Sequence, residues 1–276
     1  MGNSLSRILT NVSREDVGIQ LVNRGLRYMS STLLWTIKNT YELRVGEVSA
    51  TFSAPNRTVV NRNKQRFETE YSLFLDIIDN LRESDVFYDI GANTGLYSIF
   101  ASKVCSSGTV YSFEPYYPNI KLLRKDIIRN GIDNVRVCQM ALSDESAVDN
   151  FNQPISDDMS YGESSLSSKR TRSPVYVKTV RGDELILEDG FLQPTVLKID
   201  VEGAERAVIQ GLSEILTKDE CRLVYCEIHP EAQVGPSTAS DNERSEMSVE
   251  SLLSELNFTV EWIDSGKTNR LLKATK

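Results

Sequence analysis

The 276-residue sequence has no cluster of Lys and Arg, and 39 acidic residues against 31 basic ones leave a formal charge of −8. Affinity for a phosphate backbone comes from such clusters, so nucleic acid is not an expected partner. No stretch approaches the roughly 18 consecutive apolar residues of a membrane-spanning helix, and Tyr28 to Ile37 comes nearest. Residues 1–16 hold no uninterrupted apolar run ahead of their charges; without the h-region of a secretory signal, a cytoplasmic protein is expected. Cys105, Cys138, Cys221 and Cys226 lack C-x-x-C spacing, and three of them stand in or beside apolar runs. They read as small core hydrophobes rather than metal ligands or disulfides. What is present in quantity is apolar residues, 40 % of the chain, enough for a sizeable core and too many for disorder.

Composition separates an arm, residues 1–65, from a main domain, residues 66–276. The arm reads as helical where Leu5, Ile8, Leu9 and Val12 fall at helical spacing, and again over Leu21 to Ile37. Across 1–44 six basic residues face three acidic ones, a local excess on an acidic protein. Peripheral contact with the inner face of a membrane is one reading of that excess; packing on the main domain is the other. From Val86 onward strands and helices alternate: VFYDI, VYSFE, VRVCQ, VLKID and LVYCEI are separated by helices of about ten residues or by irregular chain. Apolar strands in that rhythm predict a parallel sheet covered on both faces. A helix near Val249 to Leu256, then FTVEWI and LLKAT around Gly266, predict an antiparallel hairpin at the sheet edge. Two stretches, 152–174 and 232–247, are long enough to be functional lids or disordered segments.

The strongest local signal is Asp89-Ile-Gly91-Ala-Asn93-Thr-Gly95, directly after a strand and before a helix. Gly91 and Gly95 allow a tight turn and close approach to the backbone, and Asn93 tolerates left-handed geometry. The G-x-G-x-x-G spacing that suits a pyrophosphate is absent, which disfavours a nicotinamide dehydrogenase. Asp89 suits an ammonium group. Glu114 ends the second strand 23 residues after Gly91, where an acid accepts from both hydroxyls of a ribose. These features favour adenosine without pyrophosphate, and S-adenosylmethionine (SAM) fits them.

The motifs DIGANTG at 89–95, FEP at 113–115, ALSD at 141–144, LKIDVEGAE at 197–205 and CEIHP at 226–230 together resemble the FkbM-type class I methyltransferases. The resemblance covers about 86 to 230. It implies a Rossmann-like α/β fold with a seven-stranded, mostly parallel sheet in the order 3-2-1-4-5-7-6 and the last strand antiparallel, here with an N-terminal helical extension. It further implies that Asp89, Gly91, Asn93 and Gly95 hold the methionine end of SAM, Glu114 the ribose, and Ser143 with Asp144 the adenine. Glu68, Glu70 and Tyr71 are expected to close over the cofactor.

Ligands in such folds meet the carboxyl ends of the strands. Lys198, Asp200 and Glu202 alternate along one strand, and Glu227 and His229 along the next, so these groups are expected to converge. Asp200, His229, Glu202 and Glu227 are therefore the candidate catalytic residues. His229 is the only histidine, and an ordinary pKa near 6.5 suits a general base at neutral pH. Glu202 has an alternative as an acid at the start of the next helix, and Glu227 as a partner of either His229 or Lys198. No tight ligand spacing assigns a metal. The expected activity is O-methylation of a hydroxyl on a sugar, a glycan carried on a lipid, or a small molecule; a SAM-binding sensor without turnover is the alternative.

Overall fold

Backbone pairing in this protein follows its apolar runs. In the computed structural model, which describes residues 39–151, 175–229, 248–263 and 270–276, β1 (Thr40–Val45) and β2 (Val48–Ser53) form a two-stranded sheet. The Asn56 side chain accepts from the Val59 amide at 2.9 Å to start α1 (Arg57–Thr69), and α2 (Tyr71–Asn80) follows. Then come β3 (Val86–Ile90), α3 (Leu96–Val104), β4 (Thr109–Phe113), α4 (Tyr117–Arg129) and β5 (Val135–Cys138). They are followed by β6 (Ala141–Ser143), β7 (Ala147–Phe151), β8 (Val175–Arg181), α5 (Gly182–Leu187) and β9 (Val196–Ile199). The chain ends with α6 (Glu205–Gly211), α7 (Ser213–Leu216), β10 (Leu223–Ile228), α8 (Val249–Glu255), β11 (Thr259–Ile263) and β12 (Arg270–Thr275).

Seven strands make the main sheet in the order β11-β12-β10-β9-β3-β4-β5. Counted along the chain from β3, that is 3-2-1-4-5-7-6 read from the other edge, as the resemblance implies. β12 runs antiparallel to both β10 and β11, and the other pairings are parallel. All six residues of β10 and all four of β9 are buried, which is what a strand covered on both faces requires. The four cysteines are buried and free, as core hydrophobes should be.

Two expectations need correction. The irregular stretch after β5 holds a second sheet, β6-β8-β7, in which β8 pairs in parallel with β6 and antiparallel with β7. β6 has only three residues, and pairing across a long stretch of sequence rather than an apolar run defines the sheet. The single helix expected between VLKID and LVYCEI is two helices, α6 and α7. The Asp183 carboxylate, 31 residues earlier, accepts from the Glu214 and Ile215 amides and so caps a new helix where the old one would have continued.

The chain divides into two compact units, Met1–Tyr41 and Glu42–Lys276, so residues 42–65 fall in the same unit as the sheet. The helices expected over 5–12 and 21–37, the stretches 152–174 and 232–247, Pro230 and the turn at Gly266 lie outside the described residues. Among the described residues no helix is long and apolar enough to cross a membrane.

Candidate active site

The loop after β3 is shaped by left-handed residues: φ is +82° at Gly91, +53° at Asn93 and +86° at Gly95. A Cβ on Gly91 would lie 1.9 Å from the Asp200 carbonyl oxygen, and one on Gly95 would lie 2.2 Å from Leu123 Cδ1. The two glycines thus seat the loop against the tip of β9 and against α4. Asn93 donates its amide to Glu114 Oε2 at 2.8 Å, and Tyr116 donates its own to Glu114 Oε1 at 2.8 Å. Glu114 therefore clamps the loop after β3 to the loop after β4. Burial pushes its carboxyl up to about 7, against the pull of those amides.

Asp89 is completely buried. Ser98 Oγ donates to its Oδ2 at 2.5 Å, Oδ1 has no hydrogen-bond partner, and burial raises its pKa although Lys198 opposes this. Neither Asp89 nor the two glycines line the adjacent cleft, and Asn93 does.

That cleft, of about 230 Å³, opens between the loop, α1 and the ends of β9 and β10. Asp200, Glu202, Glu227 and His229, the four groups expected to converge, all line it. Asp200 Oδ2 receives Lys198 Nζ at 2.9 Å and the Arg66 guanidinium. Burial penalises the Asp200 charge, but Lys198 and Arg66 outweigh it and hold the carboxyl far below the usual range. His229 Nε2 lies 3.4 Å from Glu202 Oε2 and 3.9 Å from Asp200 Oδ1, while Nδ1 lies 2.7 Å from Glu205 Oε1. Burial disfavours the imidazolium, yet the Glu205 bond, Glu202 and Asp200 raise its pKa to about 9. The value near 6.5 expected from the isolated side chain does not apply here. Burial, Asp200 and Glu227 push Glu202 up to about 6, against His229.

Glu202 precedes α6 with φ +52°, and Glu205 is the acid in the first turn. The capping alternative for Glu202 thus passes to Glu205. Ligand atoms of Asp200, Glu227 and His229 lie within 4.8 Å of one another, close enough to surround a cation. Lys198 and Arg66 already neutralise Asp200.

Sequence reasoning missed one wall. Arg62, Asn63 and Arg66 of α1 line the cleft, with Glu70 just beyond, and Thr94 and Tyr97 complete the side by the loop. Arg66 Nε reaches Glu70 Oε2 at 3.2 Å, and Tyr97 donates to the same oxygen at 2.7 Å. Asn63 Nδ2 donates to Thr94 Oγ1 at 3.1 Å, fastening α1 to the loop. Positions 62, 66 and 70 repeat every four residues, a polar helical stripe that was the available signal. Of the three residues expected to close over the cofactor, Glu70 lines the cleft, whereas Glu68 and Tyr71 are exposed and do not. Ser143 and Asp144 are brought to neither this cleft nor its neighbour; Ser143 Oγ donates to Asp144 Oδ1 at 3.1 Å. The neighbouring groove lies beside Glu114 and is walled by Pro115, Tyr116, Tyr117, Gln139, Tyr176 and Lys178.

Residues 89–259, more than half of the chain, match the model of the methyltransferase FkbM domain. The chain belongs to the FkbM methyltransferase domain family. Hexuronic acid methyltransferase AglP of Haloferax volcanii is 27 % identical over 158 residues, 55 % of this chain and 59 % of that protein. The 31-O-demethyl-FK506 methyltransferase FkbM of Streptomyces tacrolimicus is 28 % identical over 176 residues, 54 % of this chain and 67 % of that one. This chain thus spans less than two thirds of the first of these curated relatives. A crystal structure of methyltransferase FkbM from Methylobacillus flagellatus superposes with a TM-score of 0.44 at 14 % identity, covering 70 % of this chain and 44 % of that one.

Proposed function

We propose that this FkbM-family domain is a SAM-dependent O-methyltransferase acting on a hydroxyl of a sugar or small molecule. The observation that supports it best is the convergence of His229, Asp200 and Glu202 in one cleft beside the left-handed loop. SAM carries a sulfonium, an ammonium and a carboxylate, and the cleft offers both signs: Glu70, Asp200, Glu202 and Glu227 against Arg62, Arg66 and His229. The loop glycines let the loop press against β9 and α4, which leaves Asn93 lining the cleft, so the residues present fit the cofactor.

In this reading Asn93 and the cleft hold the methionine end, and Glu114 faces the ribose. The adenine lies in the aromatic groove of Tyr116 and Gln139 rather than at Ser143 and Asp144. SAM supplies a methyl whose S–C bond breaks with its electron pair left on sulfur while the acceptor oxygen forms the new bond. The chain places that oxygen in line and takes its proton. His229 Nε2 is the base once the ring has lost its proton, which the raised pKa of about 9 moves to alkaline pH, and Asp200, held ionised by Lys198 and Arg66, fixes the electrostatics around it. The names of the two relatives, one for a hexuronic acid and one for 31-O-demethyl-FK506, support a sugar-like or small-molecule acceptor.

Calorimetry with SAM and with NAD, then transfer of radiolabelled methyl to fractionated glycans, lipids and metabolites, tests the reading. SAM binding and one labelled fraction are expected, and His229→Ala should lower turnover about a hundredfold with SAM affinity kept. NAD binding without SAM binding would overturn the proposal, and SAM binding without any labelled fraction would favour a sensor.

A further inference from the structure

Behind His229 sits a carboxylate that strand alternation does not point to. Glu205 is the first residue of α6, only 4 % exposed, and its Oε1 lies 2.7 Å from His229 Nδ1. The Gly203 amide donates to the same oxygen at 2.9 Å, which fixes the carboxylate's own position. A carboxylate only accepts, so Nδ1 carries the hydrogen of this bond. The neutral ring then has its lone pair on Nε2, the nitrogen 3.4 Å from Glu202 and 3.9 Å from Asp200.

We propose that Glu205 is a positioning residue: it locks His229 in the Nδ1–H tautomer, aims Nε2 at the acceptor hydroxyl, and stabilises the imidazolium formed when that proton is taken. The proposal rests on the methyl-transfer reading above. An imidazole free to rotate or change tautomer would present Nε2–H, a donor, half-way to the wrong chemistry; the buried bond to Glu205 removes that option. The charged groups facing the ring come from every side of the cleft. Asp200 follows β9, Glu202 and Glu205 belong to the turn and helix after it, Glu227 sits on β10, and Arg66 of α1 acts through Asp200. Only Glu205 touches Nδ1 among the described residues, which separates its effect from the rest. A purely structural role is the rival, since the bond to Gly203 alone would tie down the turn before α6.

His229 is the only histidine in the chain, so its ring resonances need no assignment. Untagged, full-length, 15N-labelled protein is titrated by NMR as wild type, Glu205→Gln and Glu202→Gln, without ligand. The neutral wild-type ring should carry its proton on Nδ1. Glu205→Gln keeps an acceptor oxygen for Gly203 but loses the charge. Its midpoint should fall by about one pH unit or more, a tenfold loss in proton affinity, and by more than in Glu202→Gln. The rising limb of kcat against pH should move down with it, with calorimetric SAM affinity unchanged.

An Nε2–H tautomer in the wild type, or a midpoint unmoved by Glu205→Gln, would overturn the proposal. If Glu205→Gln does not fold, the wild-type tautomer alone decides. A wild-type protein that transfers no methyl overturns the functional reading and with it the catalytic role of Glu205, while the spectrum still reports the pairing.

Discussion

At the scale of single residues, one side chain often carries two duties, and substitutions must be chosen to separate them. Glu114 is the clearest case: it clamps the loop after β3 through the Asn93 and Tyr116 amides, and in the proposed reading it also faces the ribose. Glu114→Gln puts an amide NH2 where one of those N–H groups needs an acceptor, so the loop itself should loosen. SAM affinity should fall by about 1.5–3 kcal/mol, the range for a hydrogen bond to a charged group, read by calorimetry. Unchanged affinity would remove Glu114 from the site. The strand-end residues Asp200, Glu227 and His229 were legible because a period of two and adjacent strands dictate their meeting, whereas Glu202 reaches the cleft from the left-handed turn after β9. Glu205 and the basic residues of α1 were not, because their importance comes from contacts across elements: Arg66 meets Asp200 over 134 positions of sequence. The raised pKa of His229 was illegible for the same reason, since Glu205 sits 24 positions away.

At the scale of elements, legibility tracks whether a segment's fate is local. β3, β4, β9 and β10 are runs of apolar residues that only a covered parallel sheet accommodates, and their positions were readable to within a residue or two. The small sheet β6-β8-β7 and the break between α6 and α7 depend on distant partners, and neither was readable. The break yields a test. Asp183, 2 % exposed, accepts from two amides of α7 and from Arg181, so it acts as a cap supplied from another helix. Asp183→Ala leaves those amides without an acceptor and should lower stability by about 1–2 kcal/mol. In urea unfolding the midpoint should fall while the slope stays constant, since the surface exposed on unfolding is the same. A midpoint equal to wild type would mean that α7 is held by packing alone.

At the scale of the whole molecule, most of the buried ionisable groups with shifted pKa values among the described residues share a bias, and it predicts how stability depends on pH. Glu114 is raised to about 7, Asp126 to about 6 and His229 to about 9 in the folded chain. Burial is the leading cause for both carboxyls, whereas for His229 burial opposes the shift and the surrounding carboxylates prevail. In each case the folded state binds a proton more tightly than the unfolded chain. The stability contributed by each group is full below its unfolded pKa and is lost as pH rises through the folded one. Those windows run from about 4 to 9 when taken together, and they all slope the same way. Asp200 has the opposite sign: its folded pKa is depressed, so its contribution is present above about 4 and is lost as pH falls below that. The net charge of −8 adds self-repulsion that weakens toward acid, reinforcing the first slope. The ligand-free chain should therefore be more resistant to urea near pH 5.5 than near pH 8.5, with stability falling again below about pH 4. Equilibrium unfolding in urea at low protein concentration suits the measurement, because association near the isoelectric point would distort a thermal scan. His229→Gln should flatten the alkaline part of the slope and leave the rest, whereas a wild-type profile flat from pH 5.5 to 8.5 would mean that these groups are more solvated than the fold places them.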